Sequence, residues 1–235
     1  RDVAALPPIA WVGAAFTLFF ARSIFASIAA AIAGIDPEHL TLRAIAITSL
    51  VAYLVIIIAI AALWIWRRAE LRRAGFTLQP RDALTGLGGL LIAFPLIWAV
   101  TTATRWIAGF VSEAPPDELA HETLRMLDAS PGGPWWWLVI VAVVIGAPIV
   151  EEVIYRGFLQ SGIAAVVDNR WTAILITSAL FAVAHIGAAD WHALPGLFTL
   201  SLAFGILYER TGRLGVCIFA HAAFNALNIA MALLL

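Results

Sequence analysis

Between Arg43 and Arg67 lie twenty-three consecutive residues with no charged side chain and no proline. An apolar helix of that length crosses the roughly 30 Å hydrocarbon core of a bilayer. Comparable runs recur along the chain. Breakers and charge clusters divide them into helices near Ile9 to Ala33, Ala44 to Trp66, Ala83 to Ile107, Trp135 to Val166, Thr172 to Ala188, Leu194 to Leu207 and Leu214 to Leu235. The run from Ile9 is too long for the apolar region of a cleaved signal and reads as the first span. With 63% apolar and 12% charged residues in 235, there is too little polar surface to cover a soluble core of this size. The expected fold is an all-α, polytopic transmembrane helix bundle of seven spans, or eight if one is split.

Orientation follows from arginine placement, since basic connections stay on the cytoplasmic side. Arg67, Arg68, Arg72, Arg73 and Arg81 form the most basic connection, and alternation puts Arg170, Arg210 and Arg213 on its side. The opposite connections are acidic: Asp36 and Glu38; Glu113, Asp117, Glu118, Glu122 and Asp128; and Asp190. The N-terminus is then inside. Trp64, Trp66, Trp106 and Trp135 to Trp137 fall at helix ends, where indoles anchor at headgroups. His39, His121 and His192 lie in the connections and are expected to be solvated.

Composition also removes several functions. A lone Cys217 excludes disulfide frameworks, CxxC pairs and cysteine zinc sites. All fourteen basic residues are arginine, so Schiff-base and Ser-Lys chemistry is absent. A net charge of −1 gives no support to nucleic-acid binding.

Ionisable side chains inside spans cost roughly 2.5 to 3.5 kcal/mol each on insertion scales, so each needs a reason. Arg22 and Arg105 read as snorkelling or as partners of a buried carboxylate. The fourth span carries Glu151, Glu152 and Arg156. Glu152 and Arg156 stand at i and i+4 with the acid first, the favourable order for pairing. That leaves Glu151 without an obvious local cation, and a desolvated, unpaired carboxylate suits proton transfer near neutral pH. Glu151 is therefore the candidate catalyst, and Glu152 with Arg156 its support.

If the chain reverses at Asp168 to Arg170, Glu151 and His185 lie seventeen residues on either side of Asp168, at the same height on antiparallel helices. On the last span His221 and Asn225 share one face at i and i+4, with Asn228 following at i+7. A glutamate and a histidine can hold and deprotonate a water, while a second histidine and an amide N–H can stabilise an oxyanion. The same side chains would fit an open zinc site made of Glu151, His185 and His221; a metal-free site is favoured. No HExxH helix, GxSG serine or GxGD aspartate is present. The competing class is non-enzymatic: an immunity or scaffold protein, or a transporter using Glu151 and His185 as a proton relay.

The ordered set Glu151-Glu152-x-x-x-Arg156, Phe181-x-x-x-His185 and His221-x-x-x-Asn225 resembles the three motifs of the CPBP family, the CAAX prenyl protease and bacteriocin-processing (Abi) membrane proteins. Leu207 to Leu214 resembles that family's connection into its last motif helix. The likeness covers about Trp135 to Asn228, dividing the chain into motif-free spans over 1–133 and a catalytic core over 134–235 within a single membrane domain. The resemblance implies an intramembrane endopeptidase with Glu151 as the water-activating base, His185 as its partner on the water, His221 and Asn225 on the oxyanion, and Glu152 and Arg156 in support. The partners implied are membrane lipid and a membrane-associated protein or peptide substrate. The absence of lysine beside abundant Ala, Leu and Arg looks like a high-GC bacterial proteome, hence an inner-membrane protein. Glu151 falls toward the inner side, and a water-filled cavity open to the cytoplasm is expected.

Overall fold

The computed structural model describes residues 6–36, 39–112, 116–117 and 119–234. Glu38, Glu113 and Glu118 of the acidic connections, and Leu235 of the last span, lie outside the described residues. Among the described residues, six helices are long and apolar enough to cross a membrane: α1 (Pro8–Ile32), α2 (Leu42–Arg73), α3 (Pro80–Val111), α5 (Pro134–Val167), α7 (Leu194–Thr211, entered through the turn Trp191–Ala193) and α8 (Leu214–Ala232). Between them lie the short α4 (Glu122–Ala129) and α6 (Arg170–Val183). The polytopic helical bundle is as expected, but its fifth apolar run is not a full span. α6 has 14 residues, about 21 Å at 1.5 Å per residue. It stops at Val183, short of Ala188, because Gly187 turns the chain at φ 89° and residues 188–190 pair with another connection instead.

Helix starts follow local chemistry. Thr41 and Asn169 cap α2 and α6 by accepting the N–H groups of Ala44 and Thr172. Proline opens α1, α3 and α5, where its missing N–H costs nothing. Gly212 ends α7 in a left-handed conformation.

The two ends of the bundle are fastened differently. At the arginine-rich end, Leu214 and Gly215 donate to the carbonyls of Gly75 and Thr77, and Arg213 meets buried Asp82 at 2.9 Å. At the acidic end, Glu122 N–H donates to Ala188 O and Asp190 N–H to Ala120 O. Arg125 spans that junction, reaching Asp190 at 2.9 Å, Glu122 at 2.8 Å and Asp117 at 3.1 Å. The alternation read from the arginines is therefore the alternation of the fold.

α5 is the most enclosed span. α1 packs on α2 and on the second half of α5, whereas α3 packs on α7 and α8, and α6 on α7. Phe16, Ile24, Ile58, Leu91 and Leu96 point outward, as lipid-facing positions must.

α5 is not a uniform α-helix, and its sequence says why. Ala142–Gly146 and Val153–Gln160 are wound as π-helix. In the first segment the Ala147 N–H bonds Ala142 O, one residue further back than in an α-helix. Val143 O would then need the N–H of residue 148, which is proline and has none. A carbonyl is thus left over in mid-membrane, where an unsatisfied polar group is costly.

Candidate active site

That leftover carbonyl is the anchor of Asn225, whose side-chain N–H donates to Val143 O over 2.8 Å. Pro148 and Asn225, 77 positions apart in the chain, therefore belong to one device that docks α8 against α5. Gly146 allows a second close approach: a Cβ there would fall 2.6 Å from the Tyr53 ring of α2. Tyr53 in turn hydrogen-bonds Arg22 of α1.

One turn further along α5, Glu152 and Arg156 are fully buried and paired at 3.2 Å, as the i, i+4 spacing anticipates. Arg156 lies between the rings of Phe181 and Phe204 and donates to Ser201 Oγ at 2.6 Å and to Ser201 O at 3.0 Å. His221 donates its Nδ1–H to Glu152 Oε1 over 2.8 Å. Because Glu152 already carries the charge opposite Arg156, the proton on this short bond belongs to the imidazole. The other ring nitrogen, Nε2, then faces Glu151, whose Oε2 stands 4.0 Å away. That is too long for a hydrogen bond and short enough for one water to touch both.

His185 lies just past the end of α6. Its Nδ1–H donates to Phe181 O over 2.7 Å, which leaves the Nε2 lone pair as its free polar edge. Glu151, His185, His221 and Asn225 line one cavity of about 930 Å³. The four side chains singled out from sequence therefore face one cavity from three elements, with Glu152 and Arg156 behind His221. Asn228, further along the same stripe, also lines the cavity.

Several expectations need correction. Glu151 is not without a cation: Arg22 lines the same cavity and interacts electrostatically with it, because α1 packs across α5 in a way no local spacing reveals. Arg105 is a second arginine on that wall. His39 is solvated and paired with Asp36, but His121 is half-buried and His192 buried. Both line the cavity, and His192 is only 4% exposed, since their two connections pair with each other instead of projecting into solvent. Burial first, then the His185 imidazole beside it, push His121 down to about 4. Asp190 binds Arg125.

The direction of the cavity differs too. Glu151 and His221 do lie in the half of the bundle nearer the arginine-rich end, His221 being seven residues into α8, about 10 Å along its axis. From there, however, the cavity runs toward the acidic end, where Leu119, Ala120, His121, Ala188 and Ala189 line it. The arginine-rich end is closed by buried Glu152, Arg156, Phe158 and Gln160. The expected opening at the arginine-rich end is thus overturned by close packing of the π-wound segment.

The residues weighed for zinc, Glu151, His185 and His221, line one cavity, but among the described residues no three His, Cys, Asp or Glu side chains form a group that could hold a metal ion; the Nδ1 of both histidines is engaged, which leaves each Nε2 as the free ring nitrogen.

Sequence similarity points the same way as the geometry. Residues 133–227 match the family model described as Rce1-like, Type II CAAX prenyl endopeptidase. Over 89 residues the chain is 35% identical to a Bacillus subtilis (strain 168) protein named "Putative membrane peptidase YdiL", covering 38% of this chain and 35% of that protein. The chain thus spans about a third of the length of the curated relative it matches. No solved structure matches. The matched segment contains all three motifs and the four side chains Glu151, His185, His221 and Asn225 that line the cavity from α5, α6 and α8; residues 133–227 are thus similar to an Rce1-like, Type II CAAX prenyl endopeptidase domain.

Proposed function

We propose that this chain is an intramembrane endopeptidase that hydrolyses a peptide bond of a membrane-associated protein or peptide, using a water activated by Glu151. The observation that carries the reading is the convergence of Glu151, His185, His221 and Asn225 on one cavity inside the bundle. The similarity to CAAX-type prenyl endopeptidases and to a membrane peptidase supports the class.

In this mechanism the water sits between Glu151 Oε2 and His221 Nε2, with the His185 Nε2 lone pair accepting its second hydrogen. Glu151 takes a proton as the water oxygen attacks the scissile carbonyl. The oxyanion is met by His221 in its doubly protonated form, with Glu152 on its Nδ1 side as counter-charge, and by the remaining amide N–H of Asn225. Glu151 then returns the proton to the amide nitrogen as the C–N bond breaks, leaving a carboxylic acid and an amine, which become a carboxylate and an ammonium once the acid proton passes between them. Glu152 and Arg156 hold His221 and touch no reacting atom. No metal enters these steps.

Residues 134–235 supply this chemistry and residues 1–133 the remaining cavity wall, all in one integral membrane unit of a bacterial inner membrane. With the arginine-rich end at the cytoplasm, the reacting groups occupy the inner half of the bundle. Phe19 of α1 and Phe94 of α3 line the cavity from two helix groups that pack on different partners. A lipid-anchored substrate would enter between them.

The test is cleavage of an internally quenched, farnesylated Cys-aliphatic-aliphatic-X peptide, beside its unprenylated twin, by protein purified in detergent. Chelator-resistant cleavage by the wild type and none by Glu151→Gln is the expected result. Loss of cleavage with chelator would replace the metal-free mechanism, and equal cleavage by Glu151→Gln would remove Glu151 from it.

A further inference from the structure

His121 stands outside the three motifs and outside residues 133–227, yet its ring is held in place at the acidic end of the cavity. It is the N-cap of α4, and the Thr123 backbone N–H donates to its Nδ1 over 3.2 Å. Nδ1 therefore presents a lone pair, and the neutral ring carries its proton on Nε2. The backbone is held as firmly as the ring. His121 bridges antiparallel to Ala189, Glu122 N–H donates to Ala188 O, and Asp190 N–H donates to Ala120 O.

This pairing of two connections brings the His121 ring edge-on to His185, with centroids 6.4 Å apart, on the wall of the cavity that holds Glu151. Nε2–H has no partner among the described residues. Burial keeps the ring neutral at ordinary pH, so it offers a donor without a charge. An N-cap is filled as well or better by Asn, Asp or Ser, and none of these reaches past its own helix start. Capping alone does not call for an imidazole here.

An uncharged N–H donor on the cavity wall can pair with a neutral acceptor without either group bringing a charge out of water. In a cavity that receives a peptide, the neutral acceptors are main-chain carbonyls. We propose that His121 is a substrate-binding residue whose Nε2–H donates to a backbone carbonyl of the peptide lying beside His185, fixing the register of the scissile bond. The assignment rests on the endopeptidase reading for the identity of the ligand, and on the ring geometry alone for the donor.

His121→Asn keeps a good cap for α4 and removes the donor, while His121→Gln restores an N–H near the position of Nε2. Two measurements with the farnesylated peptide decide the matter: kcat and KM in the Glu151-intact protein, and Kd of a fluorescent, unquenched version in the Glu151→Gln background. His121→Asn should raise KM tenfold or more with kcat within threefold. It should also weaken Kd tenfold or more in the Glu151→Gln protein and leave the melting temperature unchanged. His121→Gln should recover most of the affinity.

Unaltered KM and Kd in His121→Asn, equal weakening by Asn and Gln, or a fall in kcat that tracks a lowered melting temperature would each overturn the assignment. A wild type that binds the peptide without cleaving it would remove the endopeptidase reading, and the Kd ratio would still decide His121. A wild type that neither binds nor cleaves the peptide would overturn both.

Discussion

His221 and Glu152 are joined by a 2.8 Å hydrogen bond across 69 positions of sequence, and the Oε1 atom that accepts it also accepts from Arg156 at 3.2 Å. A single carboxylate oxygen thus ties α8 to α5 and, through Arg156 and Ser201, to α7. The adjacent Glu151 makes no such tie; its Oε2 is 4.0 Å from the opposite edge of the same imidazole. Two neighbouring glutamates therefore have separable duties.

Replacing each glutamate by glutamine should separate them experimentally. Glu152→Gln leaves the guanidinium of Arg156 uncompensated in a fully buried position, which costs about 3 to 5 kcal/mol. It should lower the melting temperature in detergent and weaken expression. Glu151→Gln should melt within a few degrees of wild type and lose roughly a hundredfold or more in turnover. Similar stability losses in the two variants would contradict the division.

Asn225 and Pro148 should prove energetically coupled. Asn225→Ala abandons Val143 O inside the bundle, a loss of about 1 to 3 kcal/mol. Pro148→Ala supplies an N–H at the residue where the π-wound turn lacks one, so in that background the cost of Asn225→Ala should shrink by about half or more. A double-mutant cycle on unfolding in denaturant measures this. Strict additivity would show that Asn225 is held by something other than the leftover carbonyl.

Arg125 is the pin between the two acidic-end connections. Arg125→Gln should raise amide exchange of residues 119–129 and 186–193 while leaving α5 and α8 protected. The stability loss should be modest, about 1 kcal/mol, and smaller in high salt, since the pin is partly solvated. Unchanged exchange at 186–193 would mean that the backbone pairing holds without the ion pairs.

The depressed titration of His121 makes stability depend on pH. In the fold its pKa is about 4, against about 6.5 in an unfolded chain. Above 6.5 both states hold the ring neutral. As pH falls from 6.5 toward 4 the unfolded chain takes up a proton that the folded ring refuses, so stability declines by about 1.4 kcal/mol per unit over that window. Below 4 no further loss comes from this residue. Wild type should therefore lose more stability than His121→Asn between pH 7 and 5; parallel curves would contradict a half-buried ring kept neutral in the fold.

Much of the candidate site was legible in linear order because its parts obey helical spacing. Glu152 with Arg156, and His221 with Asn225, are i, i+4 pairs whose faces are fixed as soon as a helix is assumed. Equal counts from the turn at Asp168 brought Glu151 and His185 to one cavity. Proline at 148 carried a further message, a carbonyl without a donor, readable only once the winding of α5 was known.

The rest was settled by contacts between distant segments. His121 meets His185 because two connections pair with each other, and nothing in the spacing from 121 to 185 specifies that. Arg22 reaches Glu151 because α1 lies across α5. The cavity rises toward the acidic end because a fully buried Glu152, Arg156 and Gln160 fill the other one. The linear chain determined which residues are apolar for twenty positions at a time, which end of each helix is basic, and which polar groups share a face, since these depend only on composition and helical period. Which helix ends are plugged, which cation answers which carboxylate, and where water can enter depended on how the helices pack. Those are properties of the space left between side chains, and no single segment contains that space.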